Sequence, residues 1–159
     1  MNIYAIYFSP TGGTEKIVKF IAEQFGDYQS IDLCKRTTDL TNVFSKEDLC
    51  IIGVPSFGGR VPTIALEKIK EFNVTKTNAI LVVAYGNRAY EDTLIELEDT
   101  LVEKNFTCLA AITAVAEHSI MHQFANGRPD QKDLTDLSSF AEKIKEKMIQ
   151  TAKENVLPV

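Results

Sequence analysis

The chain has 159 residues and a formal net charge of −5 at pH 7, with 45% hydrophobic and 25% charged residues. This composition is that of an ordinary soluble globular protein, and the length predicts one domain over residues 1–159, with a core that needs neither disulfides nor a structural metal. The modest acidic excess disfavours non-specific binding to nucleic acid, which requires a basic face, and suits docking against basic protein partners.

The N-terminal half alternates between strand and helix patterns. Residues 3–8 and 49–54 are continuously apolar, which predicts strands buried on both faces of a parallel sheet. Residues 14–25 carry an apolar stripe at helical spacing. The run at 28–33 is shorter and more polar, so it predicts an edge strand. Residues 37–45 are rich in Thr, Asp and Asn and predict a loop or a short irregular helix.

The C-terminal half repeats this alternation. Helical spacing recurs at 63–72, at about 90–104 and at about 133–153, and apolar runs that predict buried strands lie at 79–84 and 108–115. Five strands with four or five helices, joined by right-handed crossovers, predict a doubly wound α/β fold with three layers. In such a sheet, ligands bind beyond the carboxyl ends of the strands, where the direction of winding reverses.

Signals for targeting and for metal binding are absent from the sequence. No run approaches the ~20 apolar residues of a membrane helix, and strand-like alternation begins directly after Met1, so we expect a cytoplasmic protein with no membrane partner. Cys34, Cys50 and Cys108 have no CxxC spacing, which argues against a zinc ribbon, a dithiol redox pair or an iron–sulfur site. We expect buried or neutral thiols at all three positions.

The stretch SPTGGT, here named the 9–14 loop, joins the first strand to the first helix and predicts an anion site. Backbone N–H groups at a helix start lack partners, and Gly12 and Gly13 let the chain curl so that these donors converge. Ser9, Thr11 and Thr14 would add hydroxyl donors, and the helix dipole favours a phosphate without a lysine. The alternative is a capped helix start that binds nothing. The GxxxxGK[ST] and GxGxxG patterns are both missing.

A second glycine-rich stretch, GVPSFGGRVP, leaves the third predicted strand. Because that strand neighbours the first, Pro55, Ser56 and Phe57 are expected to lie beside the 9–14 loop. Gly58 and Gly59 permit backbone conformations and close approaches that a side chain would prevent. These five residues are therefore candidate binding residues.

The segment FSPTGGTEKIVKFIA resembles the FMN-phosphate loop and first helix of flavodoxins, which carry a T/S-x-T-G-x-T pattern after their first strand. The similarity in element order and loop position extends over nearly the whole chain. It implies a five-stranded parallel sheet of order 2-1-3-4-5 and FMN as the cofactor. The stretches FSPTGGT, YGNRAYEDT and EHSI are notably similar to the flavodoxin half of flavodoxin–ferredoxin fusion proteins.

The resemblance also implies a role for the second loop. In flavodoxins this loop borders the flavin ring, and a peptide there can rotate to offer a carbonyl to the reduced ring; Gly58–Gly59 is the corresponding place here. The chain has no tryptophan. Phe57 or Val61 would therefore take the place of the tryptophan that packs on the ring in many flavodoxins.

A third stretch, AYGNRAYEDT, follows the fourth strand and resembles the second flavin loop of the family. Gly86, Asn87 and Tyr90 match its G-D/N-x-x-Y arrangement, in which the aromatic stacks on the ring. Tyr85 and Phe57 compete for the same face. In the alternative interpretation, Tyr90 begins a helix and packs on the sheet.

By this resemblance, the protein is a monomeric FMN-binding electron carrier whose partners are a reductase or ferredoxin-type donor and an acceptor. The alternative is an NAD(P)H-dependent flavin or quinone reductase, with Arg60 and Arg88 binding pyridine-nucleotide phosphates. A receiver-like signalling module fits less well, because residues 8–10 stand where it requires magnesium-binding acidic residues. His118, after the fifth strand, is expected to be a structural residue.

Overall fold

Strands and helices alternate along the chain, which the computed structural model describes over residues 1–35, 43–86, 92–116 and 129–156. The strands are β1 (Ile3–Tyr7), β2 (Tyr28–Asp32), β3 (Val43–Phe44), β4 (Leu49–Pro55), β5 (Asn73–Val74), β6 (Thr77–Tyr85) and β7 (Phe106–Val115). The helices are α1 (Gly13–Glu23), α2 (Thr63–Ile69), α3 (Thr93–Glu103) and α4 (Gln131–Val156). None of these described helices is both long and apolar enough to cross a membrane.

The main sheet confirms the predicted topology. Its strands are all parallel and lie in the order β2-β1-β4-β6-β7, which is 2-1-3-4-5 when only these strands are counted. Tyr7 at the end of β1 pairs with Asp32 of β2 and Gly53 of β4, while Pro55 pairs with Ala84 of β6. The segments that follow β1, β4 and β6 therefore begin side by side at one edge of the sheet, where the winding reverses.

Helices cover both faces of this sheet, as the three-layer prediction requires. Helices α1 and α4 pack on one face, and α2 and α3 pack on the other. Along β4, Ile51 packs in the core between the sheet and α1 and α4. Ile52 packs in the core between the sheet and α2 and α3, and both side chains are fully buried. Burial on alternate sides explains why this strand has no polar alternation in its sequence. The predicted helices are all present, with bounds that differ by a few residues.

The two edge strands differ in how well the sequence predicts them. The polar run at 28–33 forms β2, which is an edge strand as expected. The apolar run at 108–115 was expected to be buried on both faces, but it lies in β7 at the opposite edge, where Ala111 is exposed and Leu109 is half-buried. That expectation is wrong because apolar character does not distinguish a central strand from an edge strand.

The structure also contains a small two-stranded sheet that the sequence does not predict. Strand β3 falls within the stretch 37–45, predicted as a loop or irregular helix, and it pairs in parallel with β5. Residues 36–42 lie outside the described residues. The fully buried ring of Phe44 lies 4.9 Å from Tyr4 and 5.3 Å from Phe72, centroid to centroid. Such two-residue strands are stabilised by tertiary packing and have no periodic signal.

Gly53 allows α1 to lie close against the sheet. A Cβ atom at this position would stand 2.2 Å from Val18 Cγ2 and 3.2 Å from Thr14 Cγ2. Real side chains do not approach so closely, so with any other residue here the Val18 side chain or α1 itself would have to shift. The glycine thereby places the start of α1 directly above the carboxyl ends of β1 and β4.

Candidate functional site

A cleft lies at the carboxyl edge of the main sheet, between the segments that follow β1, β4 and β6. The space between these segments measures about 410 Å³, open solvent included. The described residues that line it are all uncharged: Ser9, Pro10, Thr11, Gly13, Thr14, Pro55, Ser56, Phe57, Ala84, Tyr85, Gly86 and Ala116. The structure thus brings together the three loops that the sequence places after neighbouring strands.

The 9–14 loop turns sharply from β1 into α1. Gly12 is the N-cap of α1 and has a φ of +94°, in the left-handed region that favours glycine. Its carbonyl accepts a hydrogen bond from the Lys16 N–H at 3.0 Å, and Ser9 Oγ accepts one from the Glu15 N–H, also at 3.0 Å. The Ser9 hydroxyl, expected as an anion donor, therefore caps the helix from outside.

The Ser9 hydroxyl accepts from the Glu15 N–H, so the N–H groups of the first two helical residues, Gly13 and Thr14, stay available. Gly13 and Thr14 begin α1 and line the cleft, and among the described residues no acceptor takes their N–H groups. These donors and the positive end of the helix dipole favour an anion at this end of the cleft. Thr14 is only 4% exposed, so its position is tightly defined.

The lysines of α1 are engaged elsewhere. Lys16 Nζ donates to the Pro129 carbonyl at 3.3 Å, and Lys19 Nζ lies 3.0 Å from Glu15 Oε1. The hydrogen bond from Lys19 holds the pKa of Glu15 below its ordinary value. An anion at the start of α1 would therefore be bound by neutral donors.

The segment after β4 forms a tight hairpin over residues 57–60, here named the 57–60 hairpin. The Phe57 N–H donates to the Arg60 carbonyl at 2.9 Å, and the Arg60 N–H donates to the Phe57 carbonyl at 3.0 Å. The two central residues, Gly58 and Gly59, have φ values of +58° and +77°. Positive φ at both central positions is the requirement of a type I′ turn, which explains the two glycines.

Helix α3 holds this segment at two points. At the near end, Ser56 Oγ and Thr93 Oγ1 lie 2.6 Å apart. At the far end, the Glu96 carboxylate accepts hydrogen bonds from the Arg60 guanidinium and, at 2.8 Å, from the Val61 N–H. The Arg60 hydrogen bond is the main cause that lowers the pKa of Glu96.

Aromatic residues are part of the cleft wall. Phe57 is 37% exposed and packs edge-on against Phe8, with 6.5 Å between ring centroids. Val61, the other residue proposed to replace the missing tryptophan, is 4% exposed and belongs to the core between the sheet and the α2–α3 layer. Of the two, only Phe57 lines the cleft.

The segment after β6 is described only at its beginning. Tyr85 and Gly86 line the cleft, and the Tyr85 carbonyl accepts a hydrogen bond from the Ala116 N–H at 2.9 Å. Asn87, Arg88 and Tyr90 lie outside the described residues, as does His118. Their expected roles therefore stay predictions.

Most of the predicted binding residues meet in this cleft. Those that line it are Ser9, Thr11, Gly13, Thr14, Pro55, Ser56, Phe57, Tyr85 and Gly86. Gly12, Gly58 and Gly59 do not line it; they shape the two turns beside it. The sequence interpretation omitted Pro10, Ala84 and Ala116. Each of the three lies at or just past the carboxyl end of a predicted strand, which is the signal that could have identified them.

The three cysteines are free thiols that differ in exposure. Cys34 is exposed, Cys50 is buried and Cys108 is intermediate. Burial raises the pKa of all three thiols, that of Cys108 to about 11, so each is neutral at physiological pH, as expected. Within the described ranges, no group of three or more His, Cys, Asp and Glu side chains is placed to hold a metal ion.

Comparison by sequence identifies no relative: no protein-family model and no curated protein matches the chain. Solved structures do match. A flavodoxin from the domain Archaea has a TM-score of 0.58 at 16% identity, covering 92% of this chain and 98% of its own. A flavoprotein from Lactobacillus acidophilus NCFM, in complex with FMN, has a TM-score of 0.52 at 13% identity, covering 70% of this chain and 92% of its own.

A larger protein matches over one part of its length. Rubredoxin:oxygen oxidoreductase from Desulfovibrio gigas has a TM-score of 0.60 at 15% identity, covering 92% of this chain. The match covers 37% of that oxidoreductase. At such identities the comparisons establish architecture, so this chain has a flavodoxin-like α/β fold.

Proposed function

We propose that this chain binds FMN in the cleft and carries electrons between redox protein partners. The observation that supports this most directly is the start of α1, where Gly13 and Thr14, whose N–H groups have no acceptor among the described residues, line a cleft that also carries aromatic side chains. A phosphate at one end and a planar ring at the other are the two parts of FMN that such a cleft suits. The flavodoxin-like fold, and the FMN bound to one structural neighbour, support the same proposal.

The phosphate of FMN would lie against the N–H groups of Gly13 and Thr14. The hydroxyl of Thr11, on the same wall, would add a further donor. Since no lysine or arginine is among the described lining residues, binding would depend on directed hydrogen bonds to the charged phosphate. The left-handed conformation of Gly12 curves the loop so that these donors share one concave surface.

The isoalloxazine ring would lie beside Phe57 and Tyr85. Either side chain can offer a ring face, and stacking contributes about 1 kcal/mol beyond the buried area. The 57–60 hairpin would border the ring, as the resemblance to flavodoxins implies. Bound flavin would supply the redox chemistry, while the protein binds it, orients it and restricts water.

The carrier is favoured over an NAD(P)H-dependent reductase by the environment of Arg60. Its guanidinium, proposed to bind a nucleotide phosphate, is paired with Glu96, so its charge is already compensated. Arg88, the other candidate, lies outside the described residues. We propose a monomeric, cytoplasmic carrier that exchanges electrons with a reductase or ferredoxin-type donor and an acceptor.

The cofactor proposal is tested by titrating the purified protein with FMN at micromolar concentration. We expect a saturable change in the visible spectrum and quenching of flavin fluorescence. Riboflavin, which lacks the phosphate, is the matched control and should bind more weakly. No saturable change with FMN would overturn the proposal.

The carrier role is tested separately by anaerobic mixing of the FMN-loaded protein with NADPH. A carrier should stay oxidised until a reductase is added, because it has no site for the hydride donor. Rapid bleaching by NADPH alone would identify the protein as a reductase and would leave the FMN assignment intact.

A further inference from the structure

A groove separates the outer edge of β7 from the side of α4. Residues 110–113 of β7 form one wall, and Phe140, Lys143 and Ile144 of α4 form the other. The space between them, here named the β7–α4 groove, measures about 550 Å³, open solvent included. None of these residues lines the cleft beside the 9–14 loop, so the groove is a separate concave surface.

The β7 wall presents backbone donors and acceptors. In the part of the chain that the structure describes, β7 pairs only with β6 and is therefore an edge of the main sheet. The Ala116 N–H donates to the Tyr85 carbonyl of β6. Since backbone groups alternate in direction along a strand, the N–H and C=O groups of Ala111 and Thr113 point away from β6. Such a row of groups is a template for a further strand.

The edge of β7 is blocked at one point and open beyond it. The register with β6 shifts so that Leu109 is an extra residue, and its carbonyl accepts a hydrogen bond from Lys147 Nζ at 3.2 Å. A bulge and a lysine are two devices by which natural proteins block an edge strand. Residues 110–113, which follow, carry neither a charge nor a proline. The open part of the edge therefore coincides with the groove.

The α4 wall offers an apolar contact beside this open edge. The Phe140 ring is 44% exposed, and Lys143 Nζ lies 5.9 Å from its centroid. The facing Ala110 and Ala111 have small side chains, so the groove leaves room for the side chains of an added strand. An extended segment against β7 would cover the Phe140 ring while it satisfies the backbone of the edge.

The charges beside the groove are basic at one end. Lys143 and Lys147 lie one turn apart on the same side of α4, and both are exposed. Within the described residues, neither is paired with a carboxylate, although the chain has a net charge of −5. Asp136 lies on this side one turn before Phe140, so an acidic group is favoured only at the lysine end.

We propose that the β7–α4 groove binds an extended, acidic segment of a partner protein, which adds to β7 as a further strand. Backbone hydrogen bonds to Ala111 and Thr113 would hold the segment, Phe140 would contact its apolar side chains, and the two lysines would contact its acidic end. A partner held there leaves the cleft open. This docking goes beyond the proposed carrier function and does not depend on FMN.

The first probe is a phage-displayed library of short random peptides, selected on the purified protein without flavin. An excess of the Phe140→Asp variant in solution removes phage that bind outside the groove. We expect the enriched peptides to combine β-branched or aromatic residues with Asp or Glu at one end. No enrichment, or enrichment of basic peptides, would overturn the inference.

One enriched peptide is then synthesised and titrated against charge variants of α4. Lys143→Glu should weaken its binding about tenfold, because a carboxylate would face the acidic end of the peptide. Lys145→Glu is the matched control, since Lys145 is nearly opposite Lys143 around the helix and lies 3.2 Å from Glu142. Thermal unfolding confirms that both variants fold. Equal losses in the two variants would show that net charge, and not the groove, controls binding.

Strand addition itself is measured by amide hydrogen exchange. The saturating peptide should slow exchange at Ala111 and Thr113 at least about tenfold and leave Gln29, an exposed residue of the opposite edge strand β2, unchanged. Binding that leaves Ala111 and Thr113 unprotected would refute an added strand. Self-association of the protein that protects the same two amides would identify a second copy as the occupant and would also overturn the inference.

Discussion

The two loops that border the cleft are held in different ways. The 9–14 loop is continuous with β1 and α1, and it is stabilised by backbone groups, by the Ser9 cap and by the close packing of α1 on Gly53. The 57–60 hairpin protrudes beyond β4 and is held at its far end by the side chain of Glu96. The first loop is continuous with a helix that packs closely on the sheet, and the second is tied to α3 by side-chain hydrogen bonds.

This difference suits two different tasks. A phosphate keeps its charge and shape, so its donors benefit from a rigid frame that needs no reorganisation. The proposed ring site lies instead beside a loop that is tied to α3 by side-chain hydrogen bonds. Substitutions in the 9–14 loop should therefore act on the phosphate, and substitutions in the 57–60 hairpin should act on the ring.

We expect the largest loss of FMN affinity from Gly12→Val. The residue at 12 must keep a φ of +94°, which strains any L-residue by about 1–2 kcal/mol and a β-branched one more, and the loop would respond by moving its donors. The loss of FMN affinity should reach at least ~3 kcal/mol, since two hydrogen bonds to a charged group are affected. FMN titration at fixed salt measures it.

Gly26→Val is the matched control, because Gly26 also has a positive φ, +137°, but lies beyond the far end of α1. It should destabilise the fold and leave the FMN affinity of the folded protein unchanged. Equal losses of affinity in the two variants would show that strain anywhere in the chain, rather than the 9–14 loop itself, controls binding.

The next largest loss of FMN affinity should come from substitutions at Thr11 and Thr14. Thr11→Ala or Thr14→Ala should weaken FMN by roughly 1.5–3 kcal/mol, the range for a hydrogen bond to a charged group, while riboflavin affinity barely changes. Thr11→Ser and Thr14→Ser keep the hydroxyl and should bind FMN almost normally. If the alanine variants lose both ligands equally, the 9–14 loop is only a capped helix start.

Gly53→Ala tests how closely α1 packs on β4. The new methyl would meet Val18 Cγ2, so we expect a loss of about 1–3 kcal/mol in the free energy of unfolding, measured with denaturant. Adding Val18→Ala removes the clashing atom and should restore part of that loss. A double variant that loses the sum of both effects would show that α1 does not press on Gly53.

The smallest effect should come from Phe57→Leu. Loss of ring stacking should weaken FMN and riboflavin alike by about 1 kcal/mol, since both ligands carry the isoalloxazine ring. Phe140→Leu, at a 44% exposed position on α4 away from the cleft, is the control and should change neither affinity. A Phe57 variant that affects FMN alone would contradict the division of tasks between the two loops.

Local patterns predicted the elements of the main sheet and its helices, while the strand order was implied by the family resemblance. The strands of the main sheet and the four helices follow from apolar runs and helical spacing, since each depends on residues within a few positions of one another. The positions of the 9–14 loop and of the 57–60 hairpin were also predictable. Glycine and hydroxyl residues directly after a strand are typical of turns, so they locate the loops without specifying a ligand.

Tertiary structure alone decided how these loops are held. The ion pair of Arg60 with Glu96, the pairing of β3 with β5 and the place of Ala116 in the cleft wall are contacts between separate segments. A single sequence records no distance between residues that are far apart along the chain. Whether an arginine is paired therefore depends on which partner the folded chain brings within hydrogen-bonding distance.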